Sequence, residues 1–477
     1  MYHAGMRLSP LASAFFLLSA GALALGAGCS DDSPADGAND DGTSSSSGGT
    51  DASTSRPDAS SSSSGGSSGA SSSSSSSSGA IEPDAGTDAG PAVDFFDPAV
   101  VPELRIDLDA EAIAILSDTS ADEDARKKWA KGTVHYGNET YEEVGIRRKG
   151  SSTFRSYPQK MSLKLRFDKN VDGQRFHGLT DLTLNNMVSD STQLVERLAY
   201  HVFRSLGLPA QRANSAHVAL VVNGVIEDFG LYANIETPNQ DLIERLYGAN
   251  AKTLYEAQTG DWSGASSPLE DKFEVESDDD EYADLPPFVA AFNAAQSETL
   301  LADMSTVLDT DAWLKFCAAE AAVKHVDGYA YGYVGSHNYF LAGDTTGKFT
   351  MLPWSVDLTF SDNIASALSA NDPGRPNYGQ DGRLTLLQRC KASSTCWPAY
   401  KTAVSTVLGT FEGLDLGALA ATWRAQIAPY VNAATFDAQA RLGRTNASYV
   451  GAFEGESNRL GPWIAARPGI VRTQLGL

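Results

Sequence analysis

Residues 325–360 read HVDGYAYGYVGSHNYFLAGDTTGKFTMLPWSVDLTF, and the rest of the chain is best understood from this stretch. Asp327, Asn338 and Asp357 follow one another, separated by aromatic and β-branched residues. Those residues read as two strands, NYFLAG and FTMLPWSV, joined at Asp344-Thr345-Thr346-Gly347. Two acids and an amide, presented from a loop and a strand end, suit Mg²⁺-assisted phosphoryl transfer. One acid orients an attacking hydroxyl, while the amide and the second acid hold metal on nucleotide phosphates. On spacing alone the same residues are ordinary turn chemistry, because Asp-Gly and Asn favour turns. The choice between the two readings depends on the sequence further out.

Immediately upstream, PPFVAAFNAAQSETLLADMSTVLD and DAWLKFCAAEAAVKHV read as helices, preceded by a strand, TLYEA (253–257). HVALVVNGVIEDFGLYANIE (217–236) is a hairpin turning on Asn223-Gly224. STQLVERLAYHVFRSLG (191–207) has a Ser/Thr start, apolar residues at helical spacing and a stop at Gly207 before Pro209. KMSLKLRF (160–167) alternates strictly, with Met161, Leu163, Leu165 and Phe167 on one face. A second hairpin spans 131–150, and ELRIDLD (103–109) and DAEAIAILSD (109–118) read as a strand and a short helix. Downstream, RLTLLQRC, PAYKTAVSTVLGTF, LGALAATWRAQIAPYV and PWIAARPGIVRTQLG are helical. Strands with one helix, followed by helices around a short hairpin, predict an α+β fold with two lobes and a cleft between them.

The chain has 477 residues, and its first ninety or so carry little that can form a core. Residues 1–29 combine a basic start at Arg7, an apolar run from Leu11 to Leu25 and small residues ending at Cys29, the layout of a secretory signal. Gly26-Ala27-Gly28 before Cys29 is similar to a bacterial lipobox, although Leu25 lies one place further from the cysteine than that pattern prefers. The lipoprotein reading makes Cys29 the lipidated residue; an ordinary cleaved signal peptide is the alternative. Residues 30–92 are Ser, Gly, Asp, Ala and Thr, with almost no branched or aromatic side chain, and read as a disordered tether. Folding is expected over 93–365, with a helical part, 366–477, packed on the same domain. A net charge of −24 argues against a nucleic-acid partner. Cys390 and Cys396 are close enough to close a small loop in an exported chain; a metal pair finds no second Cys or His pair to support it. Cys317 lies on an apolar helical face as a buried thiol.

Several segments together resemble the CotH kinase family, atypical protein-kinase-like proteins first associated with spore coats. They are VGIRRKGSST (144–153), YPQKMSLKLRFDK (157–169), LTLNN (182–186), LVERLAYHVFRSLGLPA (194–210), VNGVIEDFGLYANIETPNQDLIERLYG (222–248), DAWLKFCAAEAAVKHVDGY (311–329), HNYFL (337–341) and MLPWSVDLTF (351–360). The resemblance implies ATP and Mg²⁺ or Mn²⁺ as cofactors, with Asp327 as the catalytic aspartate. Asn338 and Asp357 are implied to bind metal. It also implies that Lys160 contacts the nucleotide phosphates, with Lys164, on the same strand face, as its competitor. Glu196 would pair with that lysine, or else is a surface glutamate beside Arg197. Arg147 and Ser152 match the family's Arg-x-x-Gly-Asn-Ser-Ser piece, with Ser151 in place of Asn. Glu236 lines the nucleotide cleft or connects the lobes. The family's Trp-Asp-x-Asp is here Trp354-Ser355-Val356-Asp357, so one acid is missing, and Ser361 replaces a glycine.

Asp168–Gly173 copies the opening of an EF-hand loop, but Leu179 stands where that loop needs Glu, so it reads as a polar turn. His325 and His337 flank the stretch without a Cys or acid arrangement that suggests zinc, and the acidic run 276–283 reads as a solvated loop. No G-x-S-x-G elbow suggests a hydrolase. The expectation is an exported, membrane-anchored lipoprotein kinase acting on Ser/Thr of exported proteins, its own Ser-rich tether among the candidates. The alternative is a catalytically weak or inactive CotH-like scaffold or adhesin.

Overall fold

In the computed structural model, the alternation at 160–167 becomes β4 (Ser162–Arg166), with Met161, Leu163, Leu165 and Phe167 all buried. The described residues are Ala92, 94–120, 122–258, Trp262, Leu269, 272–278, 282–331, 336–362, Pro373, 384–432 and 435–477. The export segment 1–29 with Cys29, and the tether up to residue 91, lie outside them.

β4 is one stave of a closed barrel. Its partners are β1 (Glu103–Leu108), β2 (Ala130–Tyr136), β3 (Glu139–Lys149), β5 (Asp181–Asn185), β6 (Ala213–Val222) and β7 (Val225–Glu236). The order is β1-β2-β3-β4-β5-β7-β6, closed by parallel pairing of β1 with β6, in which Ile106 faces Leu220. The inward residues of each strand fill the interior, among them Ile106, Val134, Ile146, Leu165, Leu184 and Leu220. Closure leaves no barrel edge unpaired. Closure was not legible from the individual strands, because it rests on pairing between residues more than a hundred positions apart. Both anticipated hairpins are present; Asn223 and Gly224 take positive φ, which suits a tight hairpin turn.

Two short helices, α1 (Ala110–Leu116) and α2 (Glu123–Arg126), connect β1 to β2. The helix expected over 191–207 is α3 (Val195–Ser205), which starts later than its Ser/Thr start suggested. The Asp190 carboxylate accepts the N–H groups of Thr192 (2.8 Å) and Val195 (3.0 Å), so residues 191–194 form the turn that leads into the helix.

After α4 (Gln240–Tyr247), β8 (Ala251–Ala257), β9 (Phe273–Val275), β10 (Tyr339–Asp344) and β11 (Phe349–Pro353) form an antiparallel sheet ordered β11-β10-β8-β9. Helices α5 (Leu285–Ala294), α6 (Leu300–Met304) and α7 (Thr310–Val323) lie between β9 and β10 in the chain. The rest is helical: α8 (Leu386–Ala392), α9 (Cys396–Gly413), α10 (Leu416–Val431), α11 (Ala438–Leu442) and α12 (Asn446–Leu475). α12 begins sixteen residues before the expected Pro462 and includes both Pro462 and Pro468. These helices share one core with α7 and the second sheet, through Trp313, Phe316, Tyr339, Tyr400, Val404 and Val471. The α+β class therefore holds. Cys390 and Cys396 are disulfide-bonded between α8 and α9, and Cys317 is a buried free thiol. Among the described residues no helix is long and apolar enough to cross a membrane.

Candidate functional site

The loop carrying Asp327 follows α7 and is held from beneath by that helix. Lys324 ends α7 in the left-handed conformation, turning the chain. Glu320, fully buried one turn earlier, accepts the N–H groups of Tyr329 (3.0 Å) and Ala330 (2.6 Å) and pairs with His325 Nδ1 at 3.1 Å. A side chain at Gly328 would collide with Glu320 and His325, so this tight turn requires glycine. His325 Nε2 reaches the Ser355 carbonyl at 3.2 Å, and Val326 N–H donates to Leu358 O at 3.2 Å. The loop with Asp327 and the loop with Asp357 are thus braced together by buried hydrogen bonds.

Within this frame both oxygens of Asp327 are engaged. His337 Nε2 lies 2.8 Å from Oδ1, and Asn338 Nδ2 donates to Oδ2 at 3.0 Å and to the Asp327 carbonyl at 2.7 Å. With its amide nitrogen so used, Asn338 keeps Oδ1 as the atom suited to a hard cation. The register of β10 with β11 places Tyr339 opposite Pro353, and Trp354 N–H donates to the Asn338 carbonyl at 3.1 Å. Asp327 and Asn338 are thus in contact, and Asp357 lies within reach of the Asp327 charge. Burial, then the Asp327 carboxylate, pushes the Asp357 carboxyl up to about 6, with Ser355 and His325 opposing. Ser355 has left-handed backbone (φ 47°), and its hydroxyl donates to Asp357 Oδ1 at 3.2 Å. Where a second acid was expected, the chain supplies a hydrogen-bond donor.

Lys160 does not join these residues, which corrects its expected role. Its ammonium is buried, donates to the Leu231 carbonyl and faces the rings of Tyr232 and Phe436 at 4.9 and 5.4 Å. Its backbone N–H donates to Arg441 of α11, so the C-terminal helices cover this end of β4. Lys164, the competitor, lies 3.8 Å from Glu276. The lysine beside the acids is Lys149, the last residue of β3. Its ammonium donates to Asn185 Oδ1 at 2.7 Å and lies 5.0 Å from the Trp354 ring centroid. Burial pushes Lys149 below its ordinary range, against the pull of Glu196, Glu256 and Asp357. Lys149 had been visible only as the lysine before Gly150 in RRKGSST.

Glu196 is not a surface residue, and the lysine whose charge acts on it is Lys149. Glu196 is 2% exposed and accepts from Asn185 Nδ2 at 2.6 Å. Burial, then Asp357, raises its carboxyl to about 8, with Asn185 and Lys149 opposing. Arg147 places its guanidinium 5.0 Å from the Trp129 ring centroid. Ser152 is exposed in the Gly150–Thr153 turn that directly follows Lys149, and Gly150 there has φ +103°. Glu236 is buried and tied to two arginines. It accepts from Arg212 N (3.0 Å), Arg212 Nη2 (2.7 Å), Arg245 Nε (2.7 Å) and Arg245 Nη2 (2.6 Å), the Arg212 pair fully buried and the Arg245 pair partly so.

Two smaller expectations also change. His325 and His337 each have an acid partner, Glu320 and Asp327. Of the acidic run 276–283, residues 279–281 lie outside the described residues and Asp278 is exposed, but Glu276 clusters with Glu256 and Glu274, and burial, then Glu276 and Glu274, raises Glu256 to about 7.

The sequence of elements from β3 onward matches a known family. A family model described as CotH kinase protein matches residues 146–471, and the chain belongs to that family. No curated protein matches the chain. Membership carries a protein-kinase-like function, with nucleotide and divalent-metal use as its general chemistry.

Proposed function

We propose that this chain is an exported, lipid-anchored protein kinase of two-lobed architecture that transfers the γ-phosphoryl group of ATP to Ser or Thr of exported proteins. The observation that carries the reading is the convergence of Lys149, Asp327, Asn338 and Asp357 from four separate segments. The barrel would form the nucleotide-side lobe, with Lys149 and the exposed Gly150–Thr153 turn toward the phosphates. Asn338 Oδ1 and Asp357 would hold Mg²⁺ or Mn²⁺, which supplies charge neutralisation on the phosphates.

The acceptor hydroxyl oxygen forms a bond to the γ-phosphorus while the bond to the bridging oxygen breaks, and ADP leaves with that electron pair. Asp327 accepts the hydroxyl proton, and His337 and Asn338 fix the orientation of its carboxylate. Cys29 would carry the lipid. The Ser-rich tether would then present hydroxyls at high effective concentration, which makes it a candidate substrate.

Ser355 favours one rival. With a serine in place of an acid, a two-metal site loses a ligand, as expected of a weak or non-catalytic CotH-like scaffold or adhesin. The test incubates the purified full chain with γ-labelled or α-labelled ATP and Mg²⁺ or Mn²⁺, beside Asp327→Ala and Asp357→Ala. Label from the γ position that disappears in both variants is the expected result. Label from the α position alone points to nucleotidyl transfer; no label and no nucleotide binding refutes the enzyme.

A further inference from the structure

Asp357 needs a second anionic partner if it is to hold a divalent ion firmly, and Ser355 cannot supply one. Two buried oxygens of α3 have no hydrogen-bond partner among the described residues, Glu196 Oε2 and the Tyr200 hydroxyl, and the Asp357 charge acts on both side chains. These residues are 2% and 0% exposed. They stand at positions i and i+4 of α3, so they share a helix face. Glu196 Oε1 is occupied by Asn185 Nδ2 at 2.6 Å, and the Lys149 ammonium donates to Asn185 at 2.7 Å. The usual satisfier of such a glutamate, the nearby lysine, has thus been diverted to the intervening amide.

A buried carboxylate oxygen without a donor costs folding free energy unless a proton or a cation meets it. We propose that Glu196 Oε2 and Asp357 are the two anionic ligands of a divalent cation, with the Tyr200 hydroxyl holding a water of its shell. The ligand set is all oxygen, which selects a hard ion of the Mg²⁺ or Mn²⁺ class over zinc. The electrostatics agree with this grouping. Burial raises the Tyr200 phenol well above its ordinary range, and the charges adding to that are Glu196 and then Asp357. α3 then contributes the acid that the Trp354–Asp357 loop lacks, and Glu196 acts as a metal ligand instead of a lysine partner. This inference rests on the kinase reading, because the ion is the one that would meet the nucleotide phosphates.

The test measures Mn²⁺ binding to the purified full chain without nucleotide, by the loss of the free-ion electron paramagnetic resonance signal. Wild type is compared with Glu196→Gln, Glu196→Asp, Tyr200→Phe and Asp357→Asn, with circular dichroism confirming that each variant is folded. Glu196→Gln is expected to weaken Mn²⁺ binding at least tenfold, and Asp357→Asn by a similar factor. Glu196→Asp, which keeps the charge on a shorter arm, should fall between Glu196→Gln and wild type, and Tyr200→Phe should lose a few-fold. Unchanged binding in folded Glu196→Gln, with binding lost in Asp357→Asn, overturns the inference and leaves the kinase reading intact. Failure of the wild type to bind Mn²⁺ even with ATP present overturns both.

Discussion

Replacing Glu236 with Gln tests whether this residue fastens the fold or serves the nucleotide. Its two oxygens, themselves buried, accept four N–H groups, two from buried Arg212 and two from partly buried Arg245. Burial alone would raise the carboxyl, but Arg245 and then Arg212 outweigh it and bring it down to about 2 from an ordinary value of 4.5. That difference, 4.5 − 2 = 2.5, corresponds to about 3 kcal/mol of native-state stabilisation of the charged form. A second route agrees, since leaving one partner of a buried ion pair unmatched costs roughly 3–5 kcal/mol. With an unfolding entropy of about 2.1 cal/mol/K per residue over roughly 380 folded residues, 3 kcal/mol lowers the melting temperature by about 4 °C.

The pH dependence has a definite sign. A carboxylate whose folded pKa is depressed stabilises fully above its unfolded value of 4.5, and that contribution is lost as pH falls through about 2. Thermal melts followed by circular dichroism should therefore separate wild type from Glu236→Gln near neutral pH, and the gap should shrink steadily below about pH 4.5. ATP affinity of the folded variant should change less than threefold. A variant that melts like wild type but loses ATP binding would refute the clamp and return Glu236 to the cleft.

The remaining predictions follow from single contacts. Lys149→Met should weaken ATP binding at least tenfold by isothermal titration, whereas Lys160→Met should leave it unchanged, because Lys160 faces Leu231, Tyr232 and Phe436. Gly328→Ala should cost about 1–3 kcal/mol in denaturant unfolding and abolish phosphoryl transfer, since the added methyl meets Glu320 and His325. Replacing Cys390 and Cys396 with Ser opens a loop with a sequence separation of 6, worth about 2 kcal/mol by the chain-entropy relation. Chemical denaturation should show that loss, and should match wild type assayed in reductant.

The pattern of these contacts explains which residues the sequence exposed and which it hid. Asp327, Asn338 and Asp357 were legible because Asn338 and Asp357 flank a single hairpin, β10–β11, at its two ends, and the turn after α7 supplies the third. The buried face of β4 was equally legible from its period of two. Its other face was not. Solvent is the default neighbour of a strand lysine, and packing against β7, Phe436 and α11, the last nearly three hundred residues on, removes Lys160 from it. Glu320 left a readable trace: an acid alone within FCAAEAAV must be paired to be buried, and its partners lie within ten residues. Lys149 left none, since its identity depends on which strands close the barrel and on which ring, Trp354, comes to lie beside its ammonium. Glu196 follows the same rule with a stronger consequence. Its helical position could be read from the sequence, but whether it pairs with a lysine or waits for a cation depends on Asn185 lying between them. That single amide, fixed by the pairing of β5 with β7, decides the chemistry of the site.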